Sequence, residues 1–313
     1  MKRQPYLRDA GNARPVMWCI ALMLATLISL PKAFSAPPPM LTPEQLVALG
    51  EAAQQRYWSL SYSITARDYR PAFAGGPIER TPQSILRQNW LWTPWRCFCH
   101  EHRETHWPGV PIQTTTIFRS FDGTTARYLQ VQHPAQSGQK RLLLGAVGRN
   151  DPILMHTSLV STIFANWIWA GVNNRNSKVT WDRNAHEYVL KQTISRSGST
   201  LSYITWINPS RGFVVTRDEM STGGKIFHED RYRQWREVRK GFWLPFSMTN
   251  AVPGMFTIRS TVRRVRLVNR AIPTPLFELK FPAGTLVNDG IRLGPPHVVR
   301  ARKPRGGSAR NPG

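Results

Sequence analysis

The stretch WRCFCHEHRETHW, from Trp95 to Trp107, contains the densest set of potential metal ligands in the sequence, with two of the three cysteines and three of the eight histidines. Side chains alternate between the two faces of a β-strand, so both thiols would share one face and the three imidazoles the other. Histidines two residues apart on a strand can bind zinc or copper, but neither face alone completes a closed tetrahedral site. The alternative is a strand end whose polar side chains face water. The candidate metal ligands are His100, His102 and His106.

A second polar cluster, His228-Glu229-Asp230, has residue types suited to proton transfer. On a strand, His228 and Asp230 share a face and could act as an acid–base pair. The alternative is an edge strand whose charges prevent further strand pairing. The sequence contains no Gly-x-Ser-x-Gly elbow, no phosphate-binding loop and no dinucleotide fingerprint. It therefore predicts a protein that is not an enzyme and that has no cofactor.

The first residues of the chain have the layout of a secretory signal peptide. Four basic residues precede the uncharged run PVMWCIALMLATLISLP, and the small residues Ala33 and Ser35 fit a cleavage site after Ser35. The run is shorter than the roughly 20 apolar residues of a membrane span, although an uncleaved membrane anchor is the alternative. The sequence thus predicts a signal peptide over residues 1–35 and export to the periplasm or cell envelope.

The chain is strongly basic. Its formal net charge is +24, and it is still +20 after removal of residues 1–35, which contain five basic residues and one acidic residue. Such a charge is common in nucleic-acid-binding proteins. Export, and the scattering of arginines along strands as in IRSTVRRVRLVNR, argue against a nucleic-acid partner. The arginines either cover solvated strand faces or attract an anionic surface such as lipid headgroups. The basic, Gly- and Pro-rich end predicts a disordered tail over residues 298–313.

Local periodicity predicts a series of hairpins with two helical segments. Thr42, Pro43 and Gln45 form a helix start with a capping box, and WSLSYSITAR then alternates polar and apolar residues. A hairpin crosses Asp122-Gly123, and a second helix begins at Asp151. About ten strands without β-α-β alternation predict an α+β fold, mainly β: a single curved antiparallel sheet or half-open β-barrel with two or three helices packed on its concave side. The predicted domain covers residues 36–297.

Three C-terminal segments follow one another in a recognisable order. INPSRGFVVTRDEM is a strand, a turn and a strand, REVRKGFWLPFSM has GFWLP at its centre, and VRLVNRAIPTPLFELKFPAGTLVNDG closes the series. Over residues 207–290 the chain thereby resembles the outer-membrane lipoprotein carrier-like (LolA-like) superfamily, especially its uncharacterised exported bacterial members. The resemblance implies a half-open antiparallel barrel wrapped over helices, with an apolar cavity that carries a lipid or an acylated ligand. No binding residue of the lipoprotein carriers maps onto this sequence.

Three functions remain open on this basis. The first is a non-enzymatic exported protein that binds a lipid or acyl chain in an apolar cavity and takes part in lipid or lipoprotein handling. The second is an interaction module with a filled core, which docks onto another envelope protein or a polysaccharide. The third is a metal-dependent envelope enzyme that uses the His100/His102 region. Aromatic residues either line such a cavity or fill the core. The expected lining residues are Trp58, Leu60, Tyr62, Trp90, Trp92, Trp206 and Trp243.

Overall fold

The computed structural model of the chain describes residues 38–73, 76–134, 141–149, 159–160, 162–164, 176–196, 199–291 and 295–300. The chain forms two compact units, Met1–Pro39 and Met40–Gly313, and almost all of the described residues belong to the second. The predicted signal peptide and the predicted helix start at Asp151 lie outside the described residues. Within the described ranges, no helix has both the length and the apolar character needed to span a membrane.

Helices make up a small part of the described chain. Helix α1 spans Pro43–Gln55, and residues 159–160 and 162–164 are also helical. The predicted capping box is present: the Thr42 hydroxyl accepts a hydrogen bond from the Gln45 backbone N–H at 3.2 Å, and the Gln45 side chain accepts one from the Thr42 N–H at 2.9 Å. Together these bonds satisfy donors that the first helical turn leaves unpaired. Two 3₁₀ turns lie at Pro209–Arg211 and Thr274–Phe277.

Strands make up most of the described residues. The described part of the chain contains fifteen: β1 (Leu60–Tyr69), β2 (Ser84–Thr93), β3 (Arg96–Thr105), β4 (Gln113–Phe121), β5 (Thr125–His133), β6 (Leu142–Arg149), β7 (Ser177–Asp182), β8 (Glu187–Arg196), β9 (Ser199–Asn208), β10 (Val214–Thr222), β11 (Lys225–Arg239), β12 (Phe242–Val252), β13 (Phe256–Val268), β14 (Leu286–Asp289) and β15 (His297–Val298).

All fifteen strands belong to one open, curved sheet in the order β15-β14-β6-β5-β4-β3-β2-β1-β13-β12-β11-β10-β9-β8-β7. Every neighbouring pair is antiparallel except β14 and β6, which are parallel. The mainly β fold with a single sheet was predicted correctly, but the expected number of about ten strands and the purely antiparallel pairing were wrong. The described helical elements are two, at the lower end of the expected number.

Part of the undercount has a physical cause at β6, whose sequence is LLLGAVGR. A strand shows polar–apolar alternation only when one face meets water. The outer side of Gly145 is covered, since a Cβ there would lie 2.9 Å from Phe281 and 3.0 Å from Val287. Apolar residues therefore serve both sides of β6, and the period-two pattern that identifies other strands is lost.

The two faces of the sheet have different surroundings. The inner face carries Leu60, Tyr62 and Ile64 of β1, and it packs with α1 and the helical residues 159–160 and 162–164 into one buried apolar cluster. The opposite side is the outer face. Because paired residues on neighbouring strands share a face, the register of each pair assigns the remaining residues to one side or the other.

The C-terminal segment packs near β6 and forms the end of the sheet. Phe277, Leu279 and Val287, residues of the closing motif identified in the sequence, are buried. Val298 belongs to β15, and the Val299 N–H donates a hydrogen bond to the Thr285 carbonyl at 2.9 Å. The predicted start of the tail at residue 298 therefore falls within a strand; residues 301–313 lie outside the described part.

Candidate functional site

Four of the residues expected to line a cavity lie together on the inner face. In the β1–β2 pair, Leu60 is opposite Trp92 and Tyr62 is opposite Trp90. The Tyr62 and Trp90 rings are nearly parallel, with centroids 6.2 Å apart. Each of the four side chains is at most 3% exposed. We call this group, Leu60, Tyr62, Trp90 and Trp92, the apolar floor.

Helical residues cover the apolar floor. The backbone N–H of Leu159 donates a hydrogen bond to the Tyr62 hydroxyl at 2.9 Å. Leu159, Val160, Ile163 and Phe164 are buried in the same apolar cluster as the floor. The Trp92 indole N–H is also buried, and it has no hydrogen-bond partner among the described residues. The floor thus lies between the sheet and the helical residues rather than at an open surface.

The other three expected lining residues lie elsewhere. Trp58 precedes β1 and is 46% exposed. Trp206 is paired with Arg217, whose guanidinium lies 4.6 Å from the Trp206 ring centroid. The register assigns both to the outer face. Trp243 is half-buried, and its backbone N–H and carbonyl are both hydrogen-bonded to the Tyr57 hydroxyl, at 2.9 and 3.1 Å.

A charged cluster borders the floor on the β3–β4 side of the inner face. Glu101 is only 1% exposed, and its carboxylate accepts hydrogen bonds from Arg103 at 3.0 Å and from Gln88 at 2.9 Å. The Arg119 guanidinium lies 3.8 Å from the other side of the same carboxylate. A buried charge requires such partners, because desolvation without compensation is costly. We call Gln88, Glu101, Arg103 and Arg119 the Glu101 cluster.

A row of polar residues crosses four strands on the other side of the inner face. Asn250 of β12 is opposite Asp230 of β11, Asp230 is opposite Asp218 of β10, and Asp218 is opposite Thr205 of β9. The Asn250 amide donates to Asp230 at 2.6 Å, and the Thr205 hydroxyl donates to Asp218 at 2.6 Å. We call Thr205, Asp218, Asp230 and Asn250 the polar row.

The predicted pair His228 and Asp230 is formed at this row. The His228 Nε2 and Asp230 Oδ2 atoms are 3.1 Å apart, and this bond raises the pKa of His228 above its ordinary value. Burial raises the pKa of Asp218 to about 7, and the nearby charge of Asp230 adds to the effect. The row therefore combines a carboxyl group that titrates near neutrality with a histidine–carboxylate pair.

The candidate metal ligands lie away from both groups. His100 and His102 are on the outer face of β3, where the His100 ring stacks on Phe118 at 4.6 Å and His102 lies 3.6 Å from Glu104. His106 follows the end of β3. Across the described residues, no three His, Cys, Asp or Glu side chains are arranged to hold a metal ion.

The two cysteines of the same stretch are on the inner face, as strand alternation predicted. Cys97 is opposite Trp92 and Cys99 is opposite Trp90, and both thiols are fully buried and free of a disulfide. Burial raises the pKa of the Cys99 thiol, and the negative charge of Glu101 raises it further. Both cysteines therefore act as small apolar residues that extend the floor.

Sequence reasoning did not identify Asp218, Thr205 or Asn250 as site residues. Each lies in a different strand, and local spacing gives no information on which strands become neighbours. The sequence signal that was available is the His-x-Asp spacing of His228 and Asp230 on a strand, which marks one member strand of the row.

No protein-family model and no curated protein sequence matches the chain. Among solved structures it is similar to a domain from Vibrio parahaemolyticus described as that of an outer membrane lipoprotein-sorting protein, with 9% identity and a TM-score of 0.38 over 75% of this chain and 97% of that one. It is also similar to a β-barrel-like protein of the domain of unknown function DUF1849 from Brucella abortus, with 10% identity and a TM-score of 0.28 over 67% of this chain and 99% of that one.

Neither likeness assigns a ligand or an activity to this chain.

Proposed function

We propose that this chain is a non-enzymatic, exported protein of the cell envelope that binds a lipid or acyl chain along the apolar floor. The observation that carries the proposal is the amphipathic arrangement of one sheet face. An aromatic, fully buried strip lies between two polar groups, the Glu101 cluster and the polar row. The location in the envelope depends on the signal peptide expected over residues 1–35.

The arrangement suits a molecule with both an apolar and a polar part. Burying each methylene of an acyl chain contributes about 0.8 kcal/mol, so even a short chain gains several kcal/mol on a dry aromatic floor. Polar groups at the two borders of the floor would then receive the head of the ligand and fix its orientation. The acyl chain would lie between the sheet and the helical residues 159–160 and 162–164.

Quenching of tryptophan fluorescence by a fatty acid brominated along its chain tests this placement, because bromine quenches only at short range. We expect quenching to saturate with concentration and to be reduced in Trp90→Phe and Trp92→Phe. These variants keep an apolar ring at each position, so most of the packing of the floor is retained.

Two tryptophans on other surfaces serve as matched controls. Trp206 is on the outer face, and Trp95 is 76% exposed in the turn between β2 and β3, so neither belongs to the floor. Trp206→Phe and Trp95→Phe should leave the bromine-sensitive fraction of the fluorescence intact. Equal losses in all four variants, or no saturable quenching in the unmodified protein, would exclude binding at the floor.

The second candidate function is an interaction module with a filled core. The observation that favours it is the near-zero exposure of the floor, together with the packing of Leu159, Val160, Ile163 and Phe164 on it. Native mass spectrometry of protein purified without detergent separates the two. Co-purified lipid supports the carrier, whereas a ligand-free mass combined with no uptake of added fatty acid supports the interaction module.

A further inference from the structure

We propose that the polar row binds an ammonium group, with Asp218 as its counter-ion and the Tyr232 hydroxyl as a second hydrogen-bond acceptor. The inference deepens the proposed function, because it gives the lipid an amine-bearing headgroup; that part rests on acyl binding at the floor. The ammonium site itself rests only on residues of β9 to β12.

The polar row leaves one carboxylate oxygen unused. Both oxygens of Asp230 have partners, His228 and Asn250. Asp218 accepts the Thr205 hydroxyl at Oδ1, and its Oδ2 has no hydrogen-bond partner among the described residues. Asp218 is partly exposed, and its Oδ2 is not one of the fully buried, unpartnered polar atoms of the described residues, so a ligand can reach this oxygen.

Tyr232 provides the second, independent observation. Its side chain is 4% exposed, and its hydroxyl is buried without any hydrogen-bond partner in the described part of the chain. Tyr232 lies two residues after Asp230 on β11, so both face inward. Burial raises the pKa of Tyr232 well above its ordinary value, and the charges of Asp230 and Asp218 add to the effect. A buried hydroxyl without a partner is costly, and a ligand at the row would satisfy it.

The charge of the row selects the ligand class. When Asp218, Asp230 and His228 are all ionised, their charges sum to −1, and the row itself contains no arginine or lysine. Phosphate and carboxylate groups would be repelled, whereas an ammonium group offers three donors to acceptors that lack them. The Glu101 cluster differs, since it has two guanidiniums for one carboxylate.

Binding of the ammonium group is coupled to a proton. The site needs Asp218 as a carboxylate, so below neutral pH each bound ammonium displaces one proton from Asp218 to the solvent. The other groups that face Asp218 are Thr205 and Tyr203 on β9, and His228, Asp230 and Tyr232 on β11. Of these, His228 opposes the ligand when it is protonated, and its loss of charge at higher pH acts in the same direction as ionisation of Asp218.

Isothermal titration calorimetry with octylamine, 1-octanol and ethanolamine tests the inference on the intact protein. Both amines remain ammonium ions between pH 5.5 and 8.5, so the pH dependence reports the protein. We expect octylamine affinity to rise about tenfold per pH unit up to about pH 7 and then level off. At pH 6, titrations in buffers of different ionisation enthalpy should show release of close to one proton.

Variants assign the effect to the row. Asp218→Asn should weaken octylamine binding at least tenfold at pH 8 and abolish proton release, and Tyr232→Phe should weaken it severalfold while proton release remains. His228→Gln should leave the proton release, because Asp218 is its source. Glu51→Gln, at an exposed carboxylate on α1, is the matched control and should change neither the octylamine affinity nor the proton release.

The three ligands separate failure of the ammonium site from failure of the proposed function. If octylamine and octanol bind equally and Asp218→Asn has no effect, the ammonium site is overturned and acyl binding remains. If ethanolamine binds in a way that depends on Asp218, and neither octyl compound binds more tightly than ethanolamine, the ammonium site is retained and acyl binding is overturned. Binding of none of them overturns both.

Discussion

Asp218 is more acidic in the unfolded chain than in the folded protein, because burial raises its pKa from 3.8 to about 7. The folded state therefore holds the proton more tightly. The stability that this confers is complete below about pH 4, decreases as the pH rises, and is lost above about pH 7. Above about pH 7 the folded protein therefore has an ionised carboxylate at a partly buried position, where a cationic ligand would compensate its charge.

Asp218→Asn removes this charge and keeps an acceptor for the Thr205 hydroxyl. We expect the variant to exceed the unmodified protein in free energy of unfolding at pH 8, by on the order of 2 kcal/mol, and to match it near pH 4. Urea unfolding followed by tryptophan fluorescence at both pH values measures the difference.

His228 has its own pH dependence, since its raised pKa adds stability that is lost as the pH rises through its folded pKa. The part of that contribution that comes from Asp230 is common to both proteins and cancels in the comparison, and only the smaller part that comes from the charge of Asp218 differs. A difference between the two proteins that is the same at pH 4 and pH 8 would contradict the raised pKa of Asp218.

Individual strands show which features of the fold can be predicted from the sequence alone. The alternation in β1 correctly assigned Leu60 and Tyr62 to one face, and the alternation in β3 correctly separated the cysteines from His100 and His102. Such predictions work because side-chain direction within a strand is a local property. The expected lining residue Trp206 shows the limit. Its face depends on pairing with Arg217 across a bulge, which is not encoded locally.

The candidate site was predicted only in part for the same reason. Four expected floor residues come from β1 and β2, which are neighbours in sequence and in the sheet. The polar row instead requires alignment of four strands over residues 205–250, and each alignment depends on turn lengths and bulges. The sequence indicated the pair His228 and Asp230 but could not indicate the facing carboxyl group of Asp218.

The junction between α1 and β12 depends on one hydroxyl group. The Tyr57 hydroxyl donates to the Trp243 carbonyl and accepts from the Trp243 N–H, and burial raises its pKa to about 12. Tyr57→Phe keeps the ring, which packs against Phe164 and Phe242, but leaves both backbone groups of Trp243 unpaired. We expect a loss of about 1–3 kcal/mol in the free energy of unfolding, measured by urea denaturation.

Tyr69→Phe is the control for this change. Tyr69 is a partly buried strand residue whose ring lies 5.1 Å from the Arg259 guanidinium, and no hydrogen bond to its hydroxyl occurs among the described residues. Removal of the Tyr69 hydroxyl should lower the free energy of unfolding by less than about 0.5 kcal/mol. Equal effects of the two substitutions would show that the Tyr57 hydrogen bonds do not hold the junction.

Positive charge is concentrated on one strand of the sheet, β13. All charged residues of β13 are arginines, and β12 has none. Two bulges in the β1–β13 pair add Arg263 and Arg266 to the exposed surface of β13. Acidic residues lie on the inner face at the polar row. We call the exposed arginines of β13, Arg259, Arg263, Arg264 and Arg266, the arginine strip.

The arginine strip predicts salt-dependent binding to anionic membranes. None of its four members forms an ion pair with a carboxylate among the described residues, so their charge is available to a partner. Each basic residue near an anionic lipid surface contributes about 1 kcal/mol. Replacing all four with glutamine should therefore weaken binding to phosphatidylglycerol-containing vesicles by at least about tenfold at low salt, as measured by vesicle co-sedimentation.

A second set of four exposed basic residues distinguishes a local surface from net charge. Arg141, Lys178, Arg183 and Lys191 lie outside β1, β12 and β13, and their replacement by glutamine changes the net charge equally. If the strip contacts the membrane, this second variant binds vesicles much more tightly than the strip variant, although both lose four charges. If the two variants lose affinity equally, only the long-range field of the whole molecule attracts the membrane. The strip would then be a solvated strand surface with no partner of its own.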